Sequence, residues 1–264
     1  MDRYIIEGSY PIRGRIRASG NKNAALPCIA ATLLSDEPVV LTNVPDIEDV
    51  HVMLNILSEL GATVERLSAH GSWRITAHDI KTSEVPLELA KRIRASILLA
   101  GPLLARTGRV QLPPPGGDVI GRRRLDTHFL ALSGLGAQVE IDGVFNLTAN
   151  KLVGVEIFLD EASVTATENA IMAAVLAEGR TVIQNAASEP HVQDLCRLLN
   201  AMGARITGIG SNILTINGVS RLGGAEYKIG SDFMEVGSFI GLAAVTRGEL
   251  IIEDAAPQNL KMVR

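Results

Sequence analysis

A phrase that returns is the feature that most constrains this chain. LGATVE at 60–65 comes back as LGAQVE at 135–140 and as MGARIT at 202–207. Upstream of each runs the same order: a helix of small residues, a turn, a β-branched strand, a turn and an amphipathic helix. The turns before those strands fall at Glu37, Gly108, Gly179 and Gly248, a period of about 70 residues, which is too long for a solenoid repeat. It suits a βαβ unit extended by a hairpin, present three times in full.

The third unit reads most clearly. Thr165 and Glu168 form the pattern of a capping box opening a helix over 166–177, and Val182-Ile183 makes the strand. Glu189-Pro190 starts a second helix with Pro at its first position, running to Ala201 and ended by Gly203. Segments 205–208 and 213–216, joined around Gly210-Ser211, read as a closing hairpin. A fourth unit opens with Asp232 and Glu235 capping a helix over 234–245 and a strand over 249–253, but no LGA phrase and no hairpin follow. A half-unit leaves one sheet face bare, so the expectation is a C-terminally truncated piece of something longer. The first 20 residues, read as two short strands around Gly8 and Gly14, are expected to pair with the absent part.

Composition narrows the function classes. With 25 Lys+Arg against 29 Asp+Glu spread along 264 residues, there is no basic stripe for nucleic acid and no polybasic membrane anchor. At 47% apolar the chain can bury a large core, and with only 3% aromatics Leu, Ile, Val and Ala must fill it while Gly and Ala let helices approach closely. No run reaches the roughly 18 uncharged apolar residues of a membrane span. The longest, 24–34 and 95–105, each contain a Pro and read as buried helices. The N-terminal MDRYIIEGSYPIRG lacks a signal-peptide core, which points to the cytoplasm. Cys28 and Cys196 form neither a metal pattern nor a disulfide framework, and His51, His70, His78, His128 and His191 show no ligand spacing, so neither metal nor cofactor is expected.

A repeat needs only its core and turns, so polar residues inside it are where chemistry can sit. Gly20-Asn21-Lys22-Asn23 opens a helix whose free N–H groups and dipole favour an anion; the plain structural account is an Asn cap with a solvated Lys. PPPGGDVIGRRRLDTH at 113–128 is far longer than the matching turns of units one and three. It carries hinge glycines Gly116, Gly117 and Gly121, the carboxylate of Asp118 and three arginines, Arg122, Arg123 and Arg124. A mobile phosphate- or carboxylate-binding loop is favoured over a solvated basic turn. Arg92 and Arg94 border an apolar helix, where a salt-bridged boundary is the usual explanation and a phosphate ligand the rarer one. Ser163-Val164-Thr165 marks another helix start, and most such residues only cap.

Together SGNKNAALPCIAATLLSDEPVVLTNVPDIEDVHVML, RASILLAGPLLAR, PGGDVIGRRRLDTH, ATENAIMAAVLAEGRTVIQNAASEP and YKIGSDFMEVGSF closely resemble the UDP-N-acetylglucosamine 1-carboxyvinyltransferase branch of the enolpyruvyl transferase family, over residues 1 to 264. The resemblance implies an α/β fold, an inside-out α/β barrel of six βαβαββ units in two domains. Residues 1–20 would go with the second domain, 21–229 form the three-unit domain and 230–264 begin the second. It implies transfer of enolpyruvyl from phosphoenolpyruvate to the 3-hydroxyl of UDP-N-acetylglucosamine, the committed step of peptidoglycan synthesis. Asp118 and Lys22 would be catalytic, with Lys22, Asn23 and Arg123 on phosphoenolpyruvate. Asn23, Arg94, Arg123, Arg124, Leu125, Asp126, Thr127, His128, Ser163 and Val164 would hold the sugar nucleotide, and Glu189 and Asp232 would have structural or orienting roles.

Three departures stand out against the family pattern. Asp118 occupies a loop tip where most members have Cys, Glu161 stands where a Lys is common beside the diphosphate, and the catalytic aspartate and a second phosphoenolpyruvate-binding arginine would lie beyond position 264. The alternatives are an enolpyruvylshikimate phosphate synthase-like transferase, against which the GNKNAA phrase and PGG loop argue, and a non-catalytic fragment that binds the nucleotide sugar.

Asp118 generates a prediction. The resemblance assigns it delivery of a proton to the methylene carbon of phosphoenolpyruvate, and a carboxylate is a weaker, harder nucleophile toward epoxides than a thiolate. In an active full-length protein, fosfomycin, the epoxide that alkylates the family's Cys, is expected to leave the wild type untouched and to inactivate Asp118→Cys with time. Mass spectrometry showing an adduct on Asp118, or an active Cys variant that fosfomycin spares, overturns this.

Overall fold

The computed structural model describes residues 3–8, 10–69, 71–117 and 124–261. The chain opens with β1 (Arg13–Arg17). The first unit follows as α1 (Lys22–Ala31, prolonged by a 3₁₀ turn Thr32–Leu34), β2 (Val39–Thr42), α2 (Glu48–Glu59) and the hairpin of β3 (Thr63–Ser68) and β4 (Ser72–Thr76). The second comprises α3 (Leu87–Ala90), a 3₁₀ helix Arg94–Leu99 leading into α4 (Ala100–Thr107), β5 (Arg109–Leu112), α5 (Asp126–Gly134) and the hairpin of β6 (Gln138–Ile141) and β7 (Phe145–Thr148). The third has β8 (Glu156–Phe158), α6 (Val164–Ala174), β9 (Arg180–Gln184), α7 (Pro190–Ala201) and the hairpin of β10 (Arg205–Thr207) and β11 (Ile213–Asn217). The chain continues through β12 (Ala225–Lys228), α8 (Phe233–Thr246), β13 (Glu249–Glu253) and a 3₁₀ turn Pro257–Asn259.

The repeated phrase is a helix stop. In each unit its glycine takes a positive φ, +110° at Gly61, +105° at Gly136 and +103° at Gly203. The following alanine reaches back to the helix: Ala62 N–H donates to Leu57 O at 2.9 Å, Ala137 to Leu132 O at 3.1 Å and Ala204 to Leu199 O at 2.9 Å. That is a Schellman motif three times over, which satisfies the last carbonyls and turns the chain into the hairpin.

The three sheets share one pattern. An edge strand lies parallel to the unit's first strand, which pairs antiparallel with the second arm of the hairpin: β12-β2-β4-β3 and β8-β9-β11-β10, with Glu84 bridging Gln111 in parallel beside β5-β7-β6. In units two and three that edge segment comes just before the unit's own first helix. By the same rule β1 would pair with β2. Instead β12 lies beside β2, and β1 lies parallel to β13 from Arg13 opposite Glu249 to Arg17 opposite Glu253. The two edge strands have exchanged places, so the chain crosses twice, and the crossings run side by side. Asn21 N–H donates to Gly230 O at 2.8 Å, Asp232 N–H to Ser19 O at 2.8 Å, and Gly20 bridges Ser231.

The helices lie inside and the sheets outside, the inside-out α/β arrangement. Ala24 through Ala31 of α1 and Ala166 through Ala174 of α6 are wholly buried, and α6 packs against α4, α5 and α7. One core cluster runs from Ala24 to Ile229. A separate small one joins Ala18, Val236 and Leu260. Beside it Met234 is 59% exposed, Val245 81% and Ile251 53%. No helix among the described residues is long and apolar enough to cross a membrane.

Several expectations need correction. The N-terminal segment forms one strand among its described residues, not two, because β13 offers a single parallel ladder, and that partner lies within this chain. The 95–105 stretch is 3₁₀ over its first half. Helix α6 starts at Val164, capped by Ser163, whose side chain accepts from Ala166 N–H, so Thr165 lies inside the first turn and no capping box forms. Asp232 does cap α8, accepting from Met234 and Glu235 N–H, but the Glu235 carboxylate turns away to accept from Ser19 N–H at 2.6 Å.

Close helix approach makes Gly101 diagnostic, since a Cβ there would lie 2.6 Å from the main-chain oxygen of Asn169. Gly101→Ala is expected to lower stability by about 1–3 kcal/mol through overpacking. Gly241→Ala, on the open face of α8 with nothing within 4 Å, should be neutral or stabilising by up to about 1 kcal/mol. Urea unfolding of both variants checks the contrast.

Candidate active site at the helix N-termini

Helix α1 begins with Asn21 as its cap, the side-chain oxygen accepting from Ala24 N–H at 3.0 Å. Asn21 is buried and its Nδ2 has no partner. Lys22 and Asn23 on the first turn are exposed, and Lys22 Nζ sits 3.1 Å from Asp49 on α2. Arg92, just before the second unit's 3₁₀ helix, pairs with Glu48 of the same helix.

Arg94 opens that 3₁₀ helix and is half-buried. The base of the long loop packs directly on this segment: Gly116 N–H donates to Ala90 O at 3.2 Å and Gly117 N–H to Lys91 O at 3.4 Å. A Cβ at Gly116 would fall 1.6 Å from Lys91 O, so only glycine allows the approach. The loop is thereby rooted beside Arg94. Asp118, Gly121, Arg122 and Arg123 lie outside the described residues, as does His70.

After the loop, Arg124 pairs with Asp126, Leu125 is half-buried, and the next two side chains turn inward. The Thr127 hydroxyl donates to Asp160 at 2.6 Å. His128 is 2% exposed, with Nδ1 at 2.9 Å from Asn169 Nδ2 and Nε2 at 3.1 Å from Thr165 Oγ1. Burial, with the Arg94 charge adding, pulls its pKa down to about 4, so the ring is neutral near pH 7. Ser163 and Val164 at the start of α6 are half-buried. The structure thus joins Arg94, His128 and the α6 N-terminus into one cluster. Lys22 and Asn23 stand at the head of α1, which packs on the same 3₁₀ helix and on α7.

The sequence reading missed two groups here. Glu168 is 1% exposed, its Oε1 has no partner, and burial with the nearby Glu189 carboxylate pushes its pKa well above the usual range. An unpaired buried carboxyl holds its proton. Asn169 bonds Gly101 N–H, Ile97 O and His128 at once. A Glu-Asn pair inside the apolar run ATENAIMAAV was the available signal. Glu189 and Asp232 flank His191, whose ring stacks on Phe233 at 6.1 Å. Asp194 accepts from Tyr227 Oη at 3.0 Å and Gly230 N–H at 3.1 Å, holding α7 against the second chain crossing.

A cavity of about 1180 Å³ lies at the other end of the helices, between Leu104–Arg109, Thr148–Leu152 and Leu176–Gly179. Among the described residues, none of the anticipated site residues lines it.

A family model described as EPSP synthase (3-phosphoshikimate 1-carboxyvinyltransferase) matches residues 6–264. The chain is similar to a protein of Treponema denticola named UDP-N-acetylglucosamine 1-carboxyvinyltransferase, 64% identical over all of this chain and 62% of that protein. A protein of Treponema pallidum with the same name is 66% identical over 99% of this chain and 61% of its own length. Among solved structures, that of the enolpyruvyl transferase NikO from Streptomyces tendae superposes with a TM-score of 0.77 at 26% identity, covering 89% of this chain and 56% of that one. The chain therefore spans about three-fifths of the length of the relatives it matches.

Glu168 supplies a pH test. Folded, it keeps its proton to higher pH than in the unfolded chain, so its favourable contribution is complete below about pH 4.5 and is lost as pH rises toward the elevated folded value. Glu168→Gln is expected to match the wild type in urea unfolding near pH 4.5 and to exceed it at pH 8. A difference independent of pH would show an ionised, paired Glu168.

Proposed function

Since the chain belongs to the enolpyruvyl transferase family that the EPSP synthase model describes, we propose that the protein transfers enolpyruvyl from phosphoenolpyruvate to the 3-hydroxyl of UDP-N-acetylglucosamine, in peptidoglycan synthesis and in the cytoplasm. The observation that carries this reading is the gathering of Arg94, His128, Ser163 and the rooted loop at the N-terminal ends of buried helices. The names of the relatives at 64% and 66% identity favour the sugar nucleotide over shikimate 3-phosphate.

Both substrates are anions, and the site offers two kinds of positive counterpart. Free N–H groups at the start of α6, beside Ser163 and Val164, suit the diphosphate, and Arg94 adds a full charge. Lys22 and Arg123 would take the phosphate and carboxylate of phosphoenolpyruvate, with Asn23 on the sugar. Arg124, Leu125 and Asp126 would border the uridine. Thr127 and His128, whose side chains are committed inward, would contribute through their main chain and by bracing neighbours.

In the addition step the sugar oxygen bonds to C2 of phosphoenolpyruvate, its proton passes to a base, and Asp118 delivers a proton to C3. In the elimination a C3 proton leaves and the C2–O bond to phosphate breaks, restoring the double bond. Exclusion of water from the site would strengthen these charge contacts. We assign residues 21–229 to one domain and 1–20 with 230–264 to a second. The exposed Met234, Val245 and Ile251 would be covered by the segment corresponding to the unmatched length of the relatives.

Calorimetric titration of this chain tests the substrate class: UDP-N-acetylglucosamine should bind and shikimate 3-phosphate should not, and the reverse order overturns the reading. In an active full-length protein, Lys22→Ala is expected to lower turnover by about 10² to 10³-fold with folding unchanged. Lys22→Arg should rescue poorly, because a planar fork is not a point charge. Wild-type kinetics for Lys22→Ala would leave Lys22 as a solvated partner of Asp49.

A further inference from the structure

Asn169 is fully buried in α6 and uses its amide across three segments. Its Oδ1 accepts from Gly101 N–H at 2.8 Å, and its Nδ2 donates to Ile97 O at 2.9 Å. These two main-chain partners fix which way the amide points, since an N–H needs the oxygen and a carbonyl needs the NH₂. The NH₂ therefore also faces Nδ1 of His128, 2.9 Å away, and that nitrogen must present a lone pair. A neutral imidazole with Nδ1 as acceptor carries its proton on Nε2. Nε2–H then donates to Thr165 Oγ1 at 3.1 Å.

The consequence falls on Thr165. Its oxygen already accepts from His128, which leaves the hydroxyl proton to be donated elsewhere. Thr165 is half-buried on the first turn of α6, next to Val164 and two residues past the cap Ser163, where helix N–H groups lack intrahelical partners. We propose that Asn169 is a positioning residue that locks His128 in its Nε2–H tautomer and so makes Thr165 a hydrogen-bond donor to an anionic oxygen of the bound sugar nucleotide. The inference rests on the nucleotide-sugar reading of this site. Reversing one amide would reverse the relay: an acceptor against Nδ1 puts the proton there, Nε2 becomes an acceptor, and the Thr165 proton is drawn back to the ring.

The tautomer is read on the ligand-free chain with ¹⁵N-labelled histidine, assigning His128 by comparison with His128→Gln. The expected spectrum at pH 7 has a protonated Nε2 and an unprotonated Nδ1. Asn169→Asp should invert the pair where it folds. Thr165→Val and Thr165→Ser, at a half-buried position, carry the test in any case. Calorimetry with UDP-N-acetylglucosamine should show about tenfold or greater weakening for Val and near wild-type affinity for Ser, the size expected for losing a hydrogen bond to a charged group. An Nδ1–H tautomer or a charged ring overturns the relay whatever binds. Equal affinities of wild type and Thr165→Val overturn the role of the hydroxyl. An Nε2–H wild type that takes up no UDP-N-acetylglucosamine overturns the nucleotide-sugar reading and Thr165's ligand role with it, while the tautomer assignment stands.

Discussion

A helix surrounded by protein can offer polar groups only at its ends. Helices α1 and α6 are buried along nearly their whole length, with main-chain groups paired internally and alanines allowing close neighbours. What they present to a ligand is confined to first-turn N–H groups and the side chains around them. The opposite ends are lined differently: Arg106, Arg109 and Lys151 border the groove where the chains leaving α4 and α6 meet, cations placed where unsatisfied carbonyls favour them. There Lys151 also pairs with Glu178. The N-terminal end holds first-turn N–H donors, which favour an anion.

Charge at the site is held in two ways. Lys22–Asp49, Arg92–Glu48 and Arg124–Asp126 are exposed ion pairs, weakened by solvent screening, so a bound anion would replace the carboxylate at little cost. Buried groups behave otherwise. His128 and Glu168 are kept neutral by desolvation, so neither places a charge where the diphosphate and phosphoenolpyruvate would sit. In the proposed reading the exposed charges would meet substrate while the buried neutral groups set geometry.

Much of the fold could be read from local signals. Strands β2, β5, β9 and β13 follow the turns at Glu37, Gly108, Gly179 and Gly248, and the helix starts at Asn21, Pro190 and Asp232 are real, because capping and glycine turns are decided within a few residues. The exchange of β1 and β12 was not legible in local signals, since both are short strands ahead of a helix and only tertiary pairing tells which ladder each joins; only the family resemblance set residues 1–20 with 230–264. Thr165 and Glu168 misled for a related reason. A capping box needs its Glu at the solvent-facing rim, whereas here that position faces the core, and Ser163, two residues earlier, takes the cap. For the site, residue types were visible but direction was not: Thr127 and His128 sit in the anticipated stretch yet point inward.

The repeat explains how one architecture came to hold several chemistries. Three corresponding places in the repeat, the starts of α1, of the 3₁₀ helix and of α6, each open a helix ahead of the unit's first hairpin-paired strand, with first-turn N–H groups at its head. Their residues differ: Asn21-Lys22 in the first unit, Ile93-Arg94 in the second, Ser163-Val164 in the third. A core position cannot diverge so freely, because each repeat must pack against the other two. A helix-start position can, because its side chain needs only to cap or to leave the N–H groups open. The first supplies an exposed ammonium, the second a half-buried guanidinium, and the third a start with no cation, where donation falls to the main chain and, through Asn169 and His128, to Thr165. Asymmetry of function thus accumulates at the one part of each symmetric unit where packing does not forbid it.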